Sequence, residues 1–132
     1  KAHQFLTFTT PPNLQRAVTY ALGKERAYFD DMRAGFQHGR DRLVAALEGE
    51  GFVTLPAQGA YFVSIDLAAS GIAMSDEAFA RHAIEHGVAT IPYSAFYANP
   101  GAPALVRLCF AKRDETLDRG AEALIRAKRA VS

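Results

Sequence analysis

An arginine set in the middle of an apolar strand limits this chain more than any other feature. Leu105 to Lys112 reads Leu-Val-Arg-Leu-Cys-Phe-Ala-Lys. Side chains alternate across a strand, so Val106, Leu108 and Phe110 share one face, and Leu105, Arg107 and Cys109 share the other. The first set can seat on a core. The second carries a guanidinium that cannot shed its proton. Burying it without an anion costs several kcal/mol, roughly. The fold must therefore bring Arg107 an Asp or Glu of its own, or leave it facing an anionic ligand. The planar fork suits either carboxylate, and spacing alone favours the internal ion pair.

The elements around that strand follow from periodicity and punctuation. Lys1 to Thr9 fits a strand or the tail of an earlier helix. Thr10-Pro11-Pro12 predicts a helix start with Thr10 as N-cap, and Leu14, Val18, Ala21 and Leu22 follow at helical spacing. A long helix is expected from about Lys24 to Glu50, with Met32, Phe36, Leu43, Val44 and Leu47 as its apolar stripe and Gly51 as its stop. Gly35 and Gly39 inside it point to close packing or a bend. Phe52–Leu55 and Ala60–Asp66 read as strands around a Pro56–Gly59 turn. Ser75 caps a helix with Asp76 and Glu77 in its first turn. Val88–Ile91 reads as a third strand, and Asp114 as the cap of a last helix carrying Leu117, Ala121, Leu124 and Ile125. This order gives an α/β (α+β) two-layer sandwich: a small, mostly antiparallel sheet of about three to four strands, covered by helices and preceded by a long helix.

Composition narrows the function classes. The 132 residues suit one domain, with 49% hydrophobic and 22% charged residues. A net charge of +1, with its fifteen Lys and Arg scattered, gives no reason to expect nucleic acid or an acidic membrane surface. No apolar run approaches the ~20 residues that span a bilayer. The first ten residues do not read as a signal peptide. One cysteine rules out an internal disulfide and fits a reducing compartment. The chain opens on Lys1 inside an apolar-aromatic stretch, Phe5-Leu6-Thr7-Phe8, which reads as a piece of something longer.

Other candidates for chemistry have plainer explanations. His82 and His86, four apart on one helix, have a metal-ligand spacing, but no Cys or acid completes a set, so packing is favoured and no metal is expected. Cys109 sits mid-strand, where thiols are usually inert. Gln58-Gly59-Ala60-Tyr61 has a single glycine, which serves a turn rather than a phosphate loop. The loop around Tyr93, Phe96 and Tyr97 is aromatic enough to line a pocket or dock on another domain.

Four stretches, in order, resemble a known family. Val106-Arg107-Leu108-Cys109-Phe110-Ala111-Lys112 with Glu115-Thr116-Leu117 is similar to the C-terminal signature of the class I/II (fold type I) pyridoxal-phosphate-dependent aminotransferases, nearest to the methionine and kynurenine aminotransferase group. Lys1–Thr9 with Pro11, Gln15 and Ala17 resembles the segment leaving the large domain. Pro56–Phe62 resembles the family's turn and strand, and Gly87–Tyr97 its strand and pocket loop.

The resemblance implies that Arg107 binds the α-carboxylate of an amino acid substrate. Phe8, Thr9, Tyr61 and Phe62 match substrate-pocket positions, the first two reaching a partner subunit's site. It further implies a cytoplasmic enzyme, homodimeric when intact, that moves an amino group from an amino acid to a 2-oxo acid with pyridoxal 5'-phosphate as cofactor. The aromatic pocket points to a bulky apolar or sulfur-containing side chain. The family also needs a lysine for the cofactor Schiff base. Lys1, Lys24, Lys112 and Lys128 do not match it. So 1–132 resembles the C-terminal small domain, with the linker and long helix from the large domain at 1–50. The large cofactor-binding domain is absent, no catalytic residue lies in this chain, no cofactor is expected bound to it, and the fragment alone is expected to be inactive. Two alternatives stay open: a free-standing module that binds carboxylates or a partner protein, and a related lyase of the same fold.

Overall fold

The computed structural model describes residues 2–6, 8–98 and 101–131. The backbone divides into two compact units, 1–34 and 35–132, with the division inside a long helix.

The first unit holds α1 (Ala2–Leu6), α2 (Pro12–Leu22) and the start of α3 (Arg26–Glu48). Of Lys1–Thr9, Ala2–Leu6 is helical and Phe8–Thr9 a bend, so the expected helix tail forms there and not the strand. The N-cap of α2 is Pro11, with no side-chain cap, rather than Thr10. A proline just before the first turn holds the backbone extended and needs no amide partner; the Thr10 carbonyl instead accepts from Gln15 Nε2 at 2.6 Å. The expected stripe of α2 is exposed: Leu14, Val18 and Leu22 are 51%, 56% and 72% accessible.

The second unit packs helices on one face of a four-stranded sheet. The strands are β1 (Val53–Leu55), β2 (Phe62–Asp66), β3 (Ile91–Pro92) and β4 (Leu105–Cys109), in the order β1-β2-β4-β3, all antiparallel. Helices α4 (Asp76–Glu85) and α5 (Asp114–Arg129) complete the unit. The expected Val88–Ile91 strand shrinks to Ile91–Pro92. Val88 is still closing α4, with its N–H bonded to the Ala83 carbonyl, so it cannot also pair with a strand.

The alternation expected of β4 holds. Val106, Leu108 and Phe110 are buried, as are Val63 and Ile65 on the same face of β2. They pack with Leu43 and Leu47 of α3, Phe79 and Ala83 of α4, and Leu117, Ala121 and Leu124 of α5. Each large side chain so buried contributes about 1.5–3 kcal/mol. Gly51 closes α3 with φ +74°, the left-handed turn that glycine adopts at little cost. The N–H of Phe52 then reaches back to the Leu47 carbonyl, and that of Gly51 to Glu48. Gly39 is where α3 meets the sheet's end: a Cβ there would lie 3.0 Å from the Phe110 carbonyl oxygen. Arg42 of α3 clamps α5 through two bonds to Asp118, at 2.8 and 2.7 Å. Asp114 is the first residue of α5 and not its cap, which is Arg113; its carboxylate meets His38 Nε2 at 3.2 Å instead.

Candidate functional site

Arg107 stands near the middle of the other face of the sheet. Cross-strand partners share a face in an antiparallel sheet. Ser64 of β2 and Ile91 of β3 both pair with Arg107, and Leu55 of β1 pairs with Ser64. Leu55, Ser64, Arg107 and Ile91 thus form one row across all four strands. The apolar members are part-exposed, Leu55 at 37% and Ile91 at 40%.

No acid among the described residues pairs with the arginine. Among the described residues, the ion pairs are made by other side chains. Asp66 lies on the same face of β2, but its Oδ1 accepts the Ala69 N–H at 2.9 Å. The internal ion pair favoured by spacing is not formed. Arg107 Nε is buried without a hydrogen-bond partner. Aromatic rings flank the guanidinium instead: Cζ is 4.0 Å from the centroid of Phe62 and 5.1 Å from that of Phe96. Such faces attract a cation without using its N–H donors.

A short 3-10 turn, Tyr93–Phe96, carries the second ring. It is held at two points. The Tyr93 hydroxyl and Ser64 Oγ are 2.7 Å apart, and the Ser94 N–H donates to Asp76 Oδ2 at 2.7 Å. Burial of Asp76 works to raise its pKa. The hydrogen bonds from Ser94 and from the Glu77 N–H outweigh it, and the carboxyl ends below its usual range.

Phe62, expected near the substrate side chain, lies against the Arg107 guanidinium. Tyr61 is 46% exposed and lies just outside β2, after Ala60 with its left-handed φ of 59°, so the strand expected from Ala60 begins at Phe62. Its ring meets that of Phe62 at a tilt of 47°, with centroids 4.5 Å apart. Phe8 and Thr9 stand in the exposed turn between α1 and α2 of the first unit. Phe96, Ser64, Tyr93 and Asp76 were not singled out as site residues by the sequence. Only the aromatic character of the 93–97 loop hinted at Phe96 and Tyr93.

The remaining candidates resolve as packing. His82 Nε2 lies 3.1 Å from the Ala127 carbonyl, and His86 Nδ1 3.1 Å from the His82 carbonyl. Among the described residues no set of His, Cys, Asp and Glu could hold a metal. A groove of about 660 Å³ runs along α5, past Val88, Cys109, Lys112 and Arg119; Arg107 and Phe62 do not line it.

A pyridoxal phosphate site needs a lysine in a fitted setting. Lys24 Nζ donates to the Tyr20 hydroxyl at 2.7 Å. Lys128 Nζ donates to the carbonyls of Glu50 and Gly51. Lys112 lines the α5 groove, and Lys1 lies outside the described residues. None of the three described lysines is among the groups around Arg107. The residues described here do not fit the cofactor on their own.

The chain's relatives point the same way as its signature strand. The family model for aminotransferase class I and II matches residues 1–124. The chain is 38% identical over 125 residues to a methionine aminotransferase of Escherichia coli (strain K12), covering 94% of this chain and 32% of that protein. It is 30% identical over 148 residues to a kynurenine–oxoglutarate transaminase of Dictyostelium discoideum, covering 96% and 34%. The solved N-succinyldiaminopimelate aminotransferase of Mycobacterium tuberculosis superposes with a TM-score of 0.82 at 35% identity, over 94% of this chain and 33% of that one. The chain spans about a third of the length of the relatives it matches. With a family model covering nearly all of it, the chain belongs to the aminotransferase class I and II family.

Proposed function

We propose that residues 1–132 form the C-terminal small domain of a pyridoxal-phosphate-dependent aminotransferase, with 1–50 as the linker and long helix that leave its large domain. The intact protein moves an amino group from an amino acid to a 2-oxo acid, as a cytoplasmic homodimer. Arg107 holds the substrate's α-carboxylate and Tyr61 and Phe62 line the pocket, while Phe8 and Thr9 reach the site of the partner subunit. Aromatic walls favour a bulky apolar or sulfur-containing side chain. The cofactor supplies an electron sink for the chemistry at Cα, and the groups that hold it belong to the part of the protein outside this chain. The chain alone does not transaminate.

One observation carries this reading: a guanidinium stacked on aromatic rings, with its Nε unbonded and no acid paired with it among the described residues. A planar fork against a planar carboxylate fixes two bonds at once, and so fixes the direction of the Cα–H bond. The test is Arg107→Lys in the full-length enzyme. It keeps the charge and loses the two-pronged geometry, and should cost about 2 kcal/mol or more of kcat/KM. Unchanged kinetics on every amino acid that the enzyme accepts overturn the assignment. A full-length protein that binds carboxylates through Arg107 but transaminates no amino acid is a binding module instead.

A further inference from the structure

Asp76 is a carboxylate out of place. It is only 5% exposed, and no cation among the described residues pairs with it. Capping explains only half of it. Ser75 Oγ accepts the Ala78 N–H at 3.2 Å, and of the Asp76 oxygens only Oδ1 faces a first-turn N–H of α4. A buried charge is retained only where hydrogen bonds compensate its lost hydration. Asp76 receives two, one to each oxygen. Oδ1 accepts the N–H of Glu77, its own neighbour, at 3.0 Å. Oδ2 accepts the N–H of Ser94 at 2.7 Å, 18 positions along the chain.

That second bond reaches the turn beside the arginine. Tyr93, one residue before Ser94, meets Ser64 Oγ at 2.7 Å, and Ser64 is the cross-strand partner of Arg107. Phe96, two residues after it, places its ring 5.1 Å from the Arg107 Cζ. The turn has four residues and little to hold it by itself. An ionised acceptor makes the stronger kind of amide bond, and this one ties the turn to the first residue of a packed helix.

We propose that Asp76 is a positioning residue for Arg107: by holding the Ser94 N–H it fixes the Tyr93–Phe96 turn, and with it the aromatic wall that aims the guanidinium at an incoming carboxylate. The inference rests on the reading of Arg107 as the carboxylate-binding group. Asp76 does not touch the substrate. It sets how much of the arginine's geometry is ready before the substrate arrives.

The experiment uses the full-length, cofactor-loaded enzyme and 3-phenylpropionate, a carboxylate without an amino group. Its competitive inhibition constant reads carboxylate binding alone. Asp76→Ala should raise that constant and the KM for amino acids about tenfold, with kcat changed less than about twofold. Asp76→Asn keeps one acceptor oxygen and should raise them less, by about two- to fivefold. In an Arg107→Ala background, Asp76→Ala should move the inhibition constant by less than about twofold, because the two act through one group.

If Arg107→Ala weakens inhibition while both Asp76 variants leave it unchanged, Asp76 is a helix-start residue only and the inference fails alone. An Asp76 effect of equal size in both backgrounds overturns it as well. If Arg107→Ala itself leaves inhibition unchanged, the reading of Arg107 has failed and this inference falls with it. Should Asp76→Ala not fold, Asp76→Asn in the two backgrounds decides the same question.

Discussion

The Arg107 guanidinium lies over the Phe62 ring, with Cζ 4.0 Å from its centroid. The two residues are on adjacent strands, and Ser64, two residues from Phe62, is the cross-strand partner of Arg107. A ring face holds a cation without consuming its donors, so the fork stays oriented and available. Phe62→Leu keeps an apolar side chain and loses the ring. In the full-length enzyme it should lower kcat/KM by about three- to thirtyfold, the equivalent of about 0.5–2 kcal/mol. The loss should appear with every amino acid substrate, since each brings the same carboxylate. A loss confined to bulky substrates would place Phe62 against the side chain rather than behind the arginine.

Because Arg107 pairs with no acid among the described residues, removing it orphans no carboxylate. Breaking a buried ion pair from one side costs about 3–5 kcal/mol. Arg107→Met, similar in length and apolar, should instead change the stability of the 132-residue chain by less than about 1 kcal/mol, the scale of a part-exposed cation–ring contact. Urea denaturation of the two chains measures it. A loss of about 3 kcal/mol or more would mean that the guanidinium neutralises an internal acid after all.

Much of the second unit was legible in the sequence because its signals are local. The alternation of Val106, Leu108 and Phe110, the Ser75 cap and the Gly51 stop each involve residues a few positions apart. What was missed depends on distant pairs. Asp76 reads as an ordinary acid in a first helical turn; its bond to Ser94 exists only once α4 and the 93–96 turn meet. The ion pair expected of Arg107 was a fair inference from charge, but the fold brings rings rather than an acid to the guanidinium among the described residues. Val88 looked like a strand residue because it is β-branched and follows a glycine. Its N–H was already spent on α4. The apolar stripe of α2 was read correctly as a pattern, but a pattern does not say which surface it meets.

The acid limb of the stability curve should carry two separable contributions. For Asp76, burial opposes ionisation, yet bonds from Ser94 and Glu77 leave its pKa below the ordinary 3.8. For Asp118, the hydrogen bond from Arg42 lowers it, against some desolvation. A folded pKa below the unfolded one means that the native state binds fewer protons. The stabilisation is therefore complete above the ordinary carboxylate range and is withdrawn as pH falls through the depressed values. Acid unfolding followed by circular dichroism should be flatter below a pH of about 4 for Asp76→Asn than for the parent. Added salt should weaken the exposed Arg42–Asp118 share and leave the buried Asp76 share largely in place. Identical acid limbs for the parent and Asp76→Asn would show that this carboxyl is not depressed.

The two glycines of α3 should respond to alanine in opposite directions. At Gly35 an added Cβ meets nothing within 4 Å. Alanine there gains helix propensity and should stabilise the chain by up to ~1 kcal/mol. At Gly39 the same Cβ would stand 3.0 Å from the Phe110 carbonyl oxygen and 3.4 Å from Leu117 Cδ1. The leucine can shift, but the carbonyl belongs to the backbone at the end of the signature strand and has little room to yield. Overpacking of that kind costs about 1–3 kcal/mol, enough to cancel the propensity gain and leave Gly39→Ala less stable than the parent. Thermal melts of the two single variants settle the matter. Equal stabilisation by both would mean that α3 does not press on the end of β4 at Gly39, and that the long helix is not what fixes the strand carrying Arg107.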